Sequence, residues 1–201
     1  LMDLKELDRF LNDLRPLGSK GATGTQASFL ELFGGDADKA LRLDLMIARE
    51  MGFEKPLALS GQTYTRKVDS LALNLLSGIA QSAAKFALDL RLMAHMKEVE
   101  EPFESTQVGS SAMPYKRNPM RAERMGALAR FIINNAQNAA HTAAGQWLER
   151  SLDDSANRRL SLAEGFLAAD GLLTLYENIV SGLVVYPAMM MRHLKEELPF
   201  M

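Results

Sequence analysis

Cysteine is absent from this chain of 201 residues, and histidine occurs three times. Without cysteine the protein has no disulfides, no thiolate metal ligands and no cysteine nucleophile, which is typical of cytoplasmic proteins. The histidines, His95, His141 and His193, are widely separated and show no metal-ligand spacing, so we expect no metal site. We therefore expect a cytoplasmic protein whose chemistry rests on other residue types.

An excess of charge of either sign is also lacking. The formal net charge is −2, so no broad basic surface points to nucleic acid or to an anionic membrane. We recognise no signal peptide and no apolar run long enough to span a bilayer, so neither partner is expected. Hydrophobic residues make up 47% of the chain, which is enough for a globular core, and any positively charged site must be local.

Strand-like alternation is rare, whereas helical periodicity extends along most of the chain. Leucines at steps of three and four residues predict a first helix that ends before Pro16. Asp36 and Asn118 stand where helix N-caps are expected, and Pro119 stands at a first helical position. Further helices are predicted over residues 26–33, 36–50, 61–100, 119–145 and 155–182 and from Pro187 onward, with weak strand propensity at 179–186.

The longest helical run, residues 61–100, decides the predicted fold class. At about 1.5 Å per residue, a helix of this length would extend roughly 55 to 60 Å. The stretch 75–92 is rich in Ala, Ser, Gly and Leu on several faces, which is typical of a helix enclosed by neighbouring helices. We therefore predict an all-α protein, an elongated bundle of long helices that other subunits complete.

Between two of the long predicted helices lies the segment GSSAMPYKRNP, residues 109–119. It combines two hydroxyls, two cations and an amide with two prolines and a glycine. Functional groups concentrate on loops that a rigid scaffold holds, which favours a ligand site. A connector with solvated cations fits the same residues equally well, so the composition leaves both interpretations open.

This segment resembles the GSSxMPxKxNP signature of the fumarase/aspartase superfamily, whose members eliminate fumarate from succinyl compounds. The resemblance implies an L-aspartase/fumarase-like fold without a cofactor. It assigns residues 1–186 to the central helical domain and residues 187–201 to the start of an incomplete C-terminal domain, with the N-terminal domain absent. Similar segments are KGATGTQASFLELF (20–33), SGQTYTRKVDSLAL (60–73), EEPFE (100–104), MPYKRNPMRAER (113–124), QWLERSLDDSANRRLSLAEGFL (146–167) and GLVVYP (182–187).

These segments are similar to the branch of the superfamily that acts in purine synthesis. Its members cleave adenylosuccinate to AMP and fumarate. They also cleave the succinylaminoimidazole carboxamide ribotide to the aminoimidazole carboxamide ribotide and fumarate. The resemblance thus implies a small-molecule substrate and a homotetramer in which three subunits build each active site.

The resemblance also implies catalytic roles for two residues of the loop. Elimination removes a weakly acidic proton beside a carboxylate, so the site needs a base and fixed hydrogen-bond donors. By the superfamily pattern Ser110 is that base, and Lys116 is expected to stabilise its ionised form. We hypothesise that Lys116 and Asn118 also hold the succinyl carboxylates. For Asn118, capping of the following helix is a competing role.

A second cluster, ERSLDDSANRR at 149–159, fits the phosphate that both purine substrates carry. Ser155 and Arg159 lie four residues apart and therefore share a face of the predicted helix, with Ser155 near its start. A hydroxyl, a helix N-terminus and a guanidinium together form a credible phosphate cradle. The alternative is that these arginines pair with neighbouring acids on a solvated surface. The resemblance assigns nucleotide binding to Gln62, Arg124, Arg150, Ser155 and Arg159.

One part of the superfamily pattern has no counterpart in this sequence. The general acid of the superfamily is a histidine in a TxxQPA-like neighbourhood, and none of the three histidines matches it. We therefore expect the isolated chain to be catalytically inactive. Two other functions stay open: another lyase of the superfamily, such as argininosuccinate lyase, and a helical oligomerisation scaffold that has lost its activity.

Overall fold

The structure is a computed structural model that describes residues 1–103, 113 and 116–197. The described residues form seven helices and one pair of two-residue strands, joined by loops. This composition confirms the predicted all-α class, and the helices lie close to their predicted positions. The elements are α1 (Met2–Asp13), α2 (Ala27–Leu32), α3 (Ala37–Glu50), α4 (Lys67–His95), β1 (Val99–Glu100), α5 (Met120–Gly145), α6 (Leu152–Gly182), β2 (Val184–Val185) and α7 (Pro187–Glu197).

Helix α4 is shorter at both ends than the predicted run 61–100. Its C-terminal end is closed by backbone hydrogen bonds from Lys97 N–H to Ala94 O (3.1 Å) and from Glu98 N–H to Met93 O (3.0 Å). Lys97 has a left-handed φ of 60°. This is the Schellman pattern, in which a left-handed residue ends a helix; glycine usually occupies that position, so a lysine there conceals the signal in the sequence.

The residues after this turn form a strand rather than a helix, which corrects the prediction for 99–100. Val99 pairs antiparallel with Val185, and Glu100 pairs with Val184. The second strand lies in the segment 179–186, where weak strand propensity was predicted. The pair holds residues 98–100 beside the start of α7, because Tyr186 N–H donates to Glu98 O at 2.8 Å.

The chain divides into two compact units, and the first comprises residues 1–75 and 136–163. Its interior is partly ionic. Lys20 donates to the carboxylate of Asp44, and both side chains are buried. Asp36 caps α3 as predicted, since its side chain accepts a hydrogen bond from Lys39 N–H at 3.1 Å. That backbone hydrogen bond lowers the pKa of Asp36.

The second unit comprises residues 76–135 and the chain from 164 onward. Its core is built from small and branched apolar side chains that recur every three or four residues along each helix. The predicted boundary between residues 186 and 187 stays a prediction. The buried residues of the three long helices in this unit include Leu76, Ala80, Ala83, Ala87, Leu90, Ala122, Met125, Ala129, Ile132, Ala169, Leu172 and Ile179.

By length and composition, helix α4 is apolar enough to cross a membrane, which corrects the expectation that no such run exists. It is the one such helix in the described ranges, and 33% of its apolar window is buried. The core helix of a globular protein satisfies the same test. Asp69 and Ser70 are both buried on the first turns of α4, so polar contacts with the protein hold this end of the helix.

Candidate active site

The segment that carries Gln62 is hydrogen-bonded to the segment that carries Arg150. The backbone N–H of Gln62 donates to Glu149 Oε2 at 2.7 Å, and Thr63 Oγ1 donates to the Glu149 carbonyl at 3.1 Å. A Cβ at Gly61 would lie 2.6 Å from Glu149 Oε2, so the backbone approaches this carboxylate closely because residue 61 has no side chain. The structure thus brings two of the predicted nucleotide-binding residues together.

Ser155 and Arg159 lie in the first turns of α6. The helix begins at Leu152, which confirms the predicted position of Ser155 near a helix start. Ser155 Oγ donates to Leu152 O at 3.1 Å, and the serine is 6% exposed. Arg159 Nη1 donates to Ser155 O at 2.7 Å, and the rest of this arginine is exposed. Arg159 is therefore exposed at the helix surface, whereas Ser155, one turn earlier on the same face, is largely covered.

The acidic neighbours of these arginines have other partners. Asp154 binds Arg66, and Glu149 accepts the Gln62 N–H. Asp153 accepts a hydrogen bond from the Ser151 hydroxyl, which lowers its pKa. Among the described residues, Arg150 and Arg159 form no ion pair with these acids. The alternative in which the cluster is a set of surface ion pairs is therefore not what the structure shows, and both guanidiniums are available to an anion.

Beneath this surface lies a network that the sequence analysis did not identify. Tyr64 OH donates to Asp69 Oδ1 at 2.7 Å, and Arg158 donates to both Tyr64 OH and Asp69 Oδ2. Arg66 Nε donates to Asp154 Oδ1 and Oδ2 at 2.8 and 2.9 Å. Burial, and after it the hydrogen bond to Asp69, raises the pKa of Tyr64. In the sequence, QTYTRK (residues 62–67) is typical of a segment that anchors the long helix, but the pattern does not predict which residues it contacts.

The second unit carries Lys116, Asn118 and Arg124. The prediction that Asn118 caps α5 is wrong. Helix α5 begins at Met120, and its first-turn N–H groups at Arg121 and Ala122 donate to the two carboxylate oxygens of Glu101 at 3.0 and 2.6 Å. A carboxylate offers two acceptors and a full negative charge to the positive end of the helix, so Glu101 serves as the cap.

Asn118 is consequently available for another role. Among the described residues its side chain makes no hydrogen bond. It lines a cleft of about 550 Å³ together with His95, Glu100, Arg117 and Tyr186, all within the second unit. This placement agrees with a role in ligand binding, which stays a prediction.

The two ends of the segment that carries the signature are tied together. Arg117 Nη1 donates to Glu100 Oε2 at 2.9 Å, and its guanidinium lies 5.0 Å from the centre of the Phe103 ring. Arg121 Nη1 donates to Pro102 O at 2.6 Å. Residues 100–103 and 117–122 therefore hold each other in place, and the Lys116 side chain is exposed next to them. Ser110, the predicted base, lies outside the described residues, so its role stays a prediction.

Arg124 is exposed on α5 and forms no hydrogen bond or ion pair within the described ranges. It is thus a free cation in the second unit, whereas Gln62, Arg150, Ser155 and Arg159 belong to the first. No group of three or more possible metal ligands occurs in the described part of the chain. His193 is engaged with Glu98, its Nδ1 lying 2.9 Å from Glu98 Oε1.

Comparisons with known proteins agree with the sequence motifs. A family model described as a lyase matches residues 44–134. Adenylosuccinate lyase from Schistosoma mansoni is 52% identical over 202 residues, and that from Saccharomyces cerevisiae is 54% identical over 201 residues. Each alignment covers 100% of this chain and 42% of the relative. The chain thus spans about two fifths of the length of these curated relatives.

Solved structures share the fold. The 3-carboxy-cis,cis-muconate lactonizing enzyme from Pseudomonas putida superposes with a TM-score of 0.78 at 24% identity, and the match covers 96% of this chain and 40% of that one. A fumarate lyase from Mesorhizobium sp. BNC1 superposes with a TM-score of 0.76, also at 24% identity, over 96% of this chain and 40% of that one. At this identity the likeness concerns the fold alone.

Proposed function

Since this chain belongs to the fumarase/aspartase family of lyases, we propose that it forms the central part of an enzyme that eliminates fumarate from adenylosuccinate. The observation that carries the proposal is the similarity to adenylosuccinate lyases, which extends over the entire chain at 51 to 54% identity in three relatives. The same enzyme is proposed to cleave the succinylaminoimidazole carboxamide ribotide. No cofactor takes part in this proposal, and we place the enzyme in the cytoplasm.

The proposed chemistry is a β-elimination. Ser110 removes a proton from the carbon beside a succinyl carboxylate, the C–N bond breaks, and a carbon–carbon double bond forms, which gives fumarate. The departing nitrogen takes a proton from a general acid that this chain does not supply. Lys116 stabilises the ionised serine, and Lys116 and Asn118 hold the carboxylate on which negative charge accumulates.

The phosphate of the substrate is proposed to bind at the first turns of α6. Three geometric facts support this assignment. Arg150 and Arg159 are free of the neighbouring acids, Ser155 lies in the first turn of a long helix, and the Gln62 segment is tied to Arg150 through Glu149. A guanidinium and a helix N-terminus both favour a phosphate dianion. Arg124 is proposed as a further nucleotide-binding cation.

We also propose that the chain acts within a homotetramer whose subunits share active sites. The second unit exposes large apolar side chains on α6 that recur at seven-residue steps, Phe166, Leu173 and Val180, with Leu167 beside them. Leu88 and Leu92 are likewise exposed on α4. Contiguous apolar faces of this kind mark interaction surfaces, because a monomer seldom leaves them in water.

The test is a chimeric enzyme in which this chain replaces the matching 42% of the Saccharomyces cerevisiae relative. We expect the purified chimera to release fumarate from adenylosuccinate, followed by ultraviolet absorbance, and the Ser110→Ala chimera to lose that activity while still binding AMP. An argininosuccinate assay separates the other lyase candidate. A chimera that assembles correctly but releases no fumarate from either purine substrate would reject the proposal and favour an inactive scaffold.

A further inference from the structure

We propose that a cluster of buried and half-buried side chains positions the phosphate ligands Ser155 and Arg159 and thereby sets the affinity for the nucleotide. The inference rests on the proposed function and adds to it a set of positioning residues that touch no substrate themselves. We call this set the tyrosine cluster; it consists of Tyr64, Arg66, Asp69, Asp154 and Arg158.

The hydroxyl of Tyr64 is the centre of the cluster. It donates to Asp69 Oδ1 at 2.7 Å and accepts from Arg158, while Arg158 Nε donates to the other oxygen of the same carboxylate. The three groups therefore form a closed ring of hydrogen bonds. Two guanidiniums also lie close to the Tyr64 ring, Arg66 at 5.0 Å and Arg158 at 5.4 Å from its centre.

Helix geometry connects this ring to the phosphate ligands. Asp154 and Arg158 are four residues apart on α6 and point to the Tyr64 segment, which holds them through Arg66 and Asp69. Ser155 and Arg159 are the next residues along the helix, rotated by about 100° from that pair, and so share the adjacent face. Fixing the rotation of the first two turns of α6 therefore fixes the direction of the Ser155–Arg159 face.

Charge balance explains why the cluster does not compete for the phosphate itself. Each of its two guanidiniums is paired with a carboxylate, Arg66 with Asp154 and Arg158 with Asp69. Arg159 has a backbone carbonyl as its partner among the described residues, and its side chain is exposed. The neutralised arginines act as structural ties, and the uncompensated positive charge on this part of α6 belongs to Arg159.

The experiment uses the chimeric enzyme with Tyr64→Phe, which keeps the ring and removes the hydroxyl. The matched control is Tyr176→Phe, because the Tyr176 ring packs edge-on against Phe86 at 4.5 Å and its hydroxyl makes no hydrogen bond in the described part of the chain. Two quantities are measured: the inhibition constant of AMP, and the ratio of kcat/KM for adenylosuccinate to that for succinyladenosine, which lacks the phosphate.

We expect Tyr64→Phe to raise the AMP inhibition constant and to lower the substrate ratio, each by about tenfold, the scale of one hydrogen bond to a charged group. The kcat for adenylosuccinate should stay close to that of the parent, and Tyr176→Phe should change neither quantity. Arg158→Lys, which keeps the charge but loses the planar fork, should change both in the same direction.

Equal losses for both substrates, or an unchanged AMP inhibition constant in Tyr64→Phe, would overturn the inference. Failure of both Tyr64→Phe and Arg158→Lys to assemble, judged by native mass, would also overturn it, because the cluster would then be a folding element alone. A parent chimera without any fumarate release is a different result, since it rejects the proposed function instead.

Discussion

Arg66 and Asp154 form a buried ion pair between the N-terminal side of α4 and the first turn of α6. Arg66 Nε donates to both carboxylate oxygens, at 2.8 and 2.9 Å, and the two side chains are 3% and 4% exposed. The backbone N–H of Arg66 is held in turn by Gln146 Oε1 at 2.8 Å. The pair thus ties three segments of the first unit at the point where the predicted phosphate ligands begin.

Removing one partner of this pair should strongly destabilise the first unit. In Asp154→Ala the guanidinium of Arg66 stays buried without its counter-ion, which costs about 3 to 5 kcal/mol. Urea unfolding of the chain, followed by circular dichroism, measures this loss. Asp8→Ala is the matched control, since Asp8 is exposed on α1 and forms no hydrogen bond or ion pair among the described residues, and it should leave the unfolding midpoint nearly unchanged. An Asp154→Ala chain as stable as the control would show that the pair contributes little.

Glu101 should control the order of the first turn of α5. Glu101→Ala removes both acceptors from the N–H groups of Arg121 and Ala122, so these amides should exchange with deuterium much faster, and the chain should lose about 1 to 2 kcal/mol. Glu164→Ala, which removes an exposed carboxylate from α6, serves as the comparison. Unchanged exchange at residues 121 and 122 would contradict the capping role.

The helices could be predicted from the sequence because their signals are local. Apolar spacing, Asp36 at an N-cap and Pro187 at a helix start act within a few residues, and the structure has helices at those places. The errors in the predicted helices arise where a distant residue or an unusual residue type determines how a helix ends or is capped. Lys97 ends α4 in a conformation that glycine usually adopts, and Glu101 caps α5 from about twenty residues away, which no local pattern announces.

For the candidate site too, the residues with local signals could be predicted and their distant partners could not. The resemblance located Ser155 and Arg159, and their common face follows from a spacing of four on any helix. Their neighbours could not be assigned from the sequence, because Asp69 and Arg158 are 89 residues apart in the chain. The surface-pairing alternative for the arginines had the same weakness. It assumed local partners, whereas Asp154 is bound to a residue 88 positions away.

The ionisation of Tyr64 should make the stability of the first unit depend on alkaline pH. Its pKa is raised by burial and by the hydrogen bond to Asp69, so the folded state keeps the phenolic proton at pH values where the unfolded chain has lost it. This stabilisation is fully present below the unfolded pKa of about 10 and is lost as the pH rises through the higher folded pKa. Unfolding free energies measured across that window should fall more steeply for the parent chain than for Tyr64→Phe. Parallel curves would contradict the expectation.

Arg159 should contribute directly to nucleotide affinity. Arg159→Ala in the chimeric enzyme removes a charge-assisted contact to phosphate, so the dissociation constant of AMP should rise roughly 10- to 150-fold. Titration calorimetry measures it, and the affinity for fumarate alone should stay unchanged because fumarate carries no phosphate. Arg42→Ala is the control, since Arg42 is exposed on α3 and has no partner among the described residues. Equal AMP affinity in both variants would remove Arg159 from the proposed phosphate site.

The exposed apolar face of α6 should hold copies of the chain together. Leu167 is 70% exposed, and a lysine at this position would place a charge in the middle of an interface if the face is covered. We expect the native mass of the 201-residue chain to be a multiple of 22.2 kDa and the mass of Leu167→Lys to fall towards that of one chain. Leu59→Lys changes an even more exposed leucine, 91% exposed, in a connector of the first unit, and should leave the assembly intact. A parent chain that is monomeric, or two variants that assemble equally well, would show that this face is not the interface. Association is sensitive to a single added charge only where the substituted leucine is buried between copies.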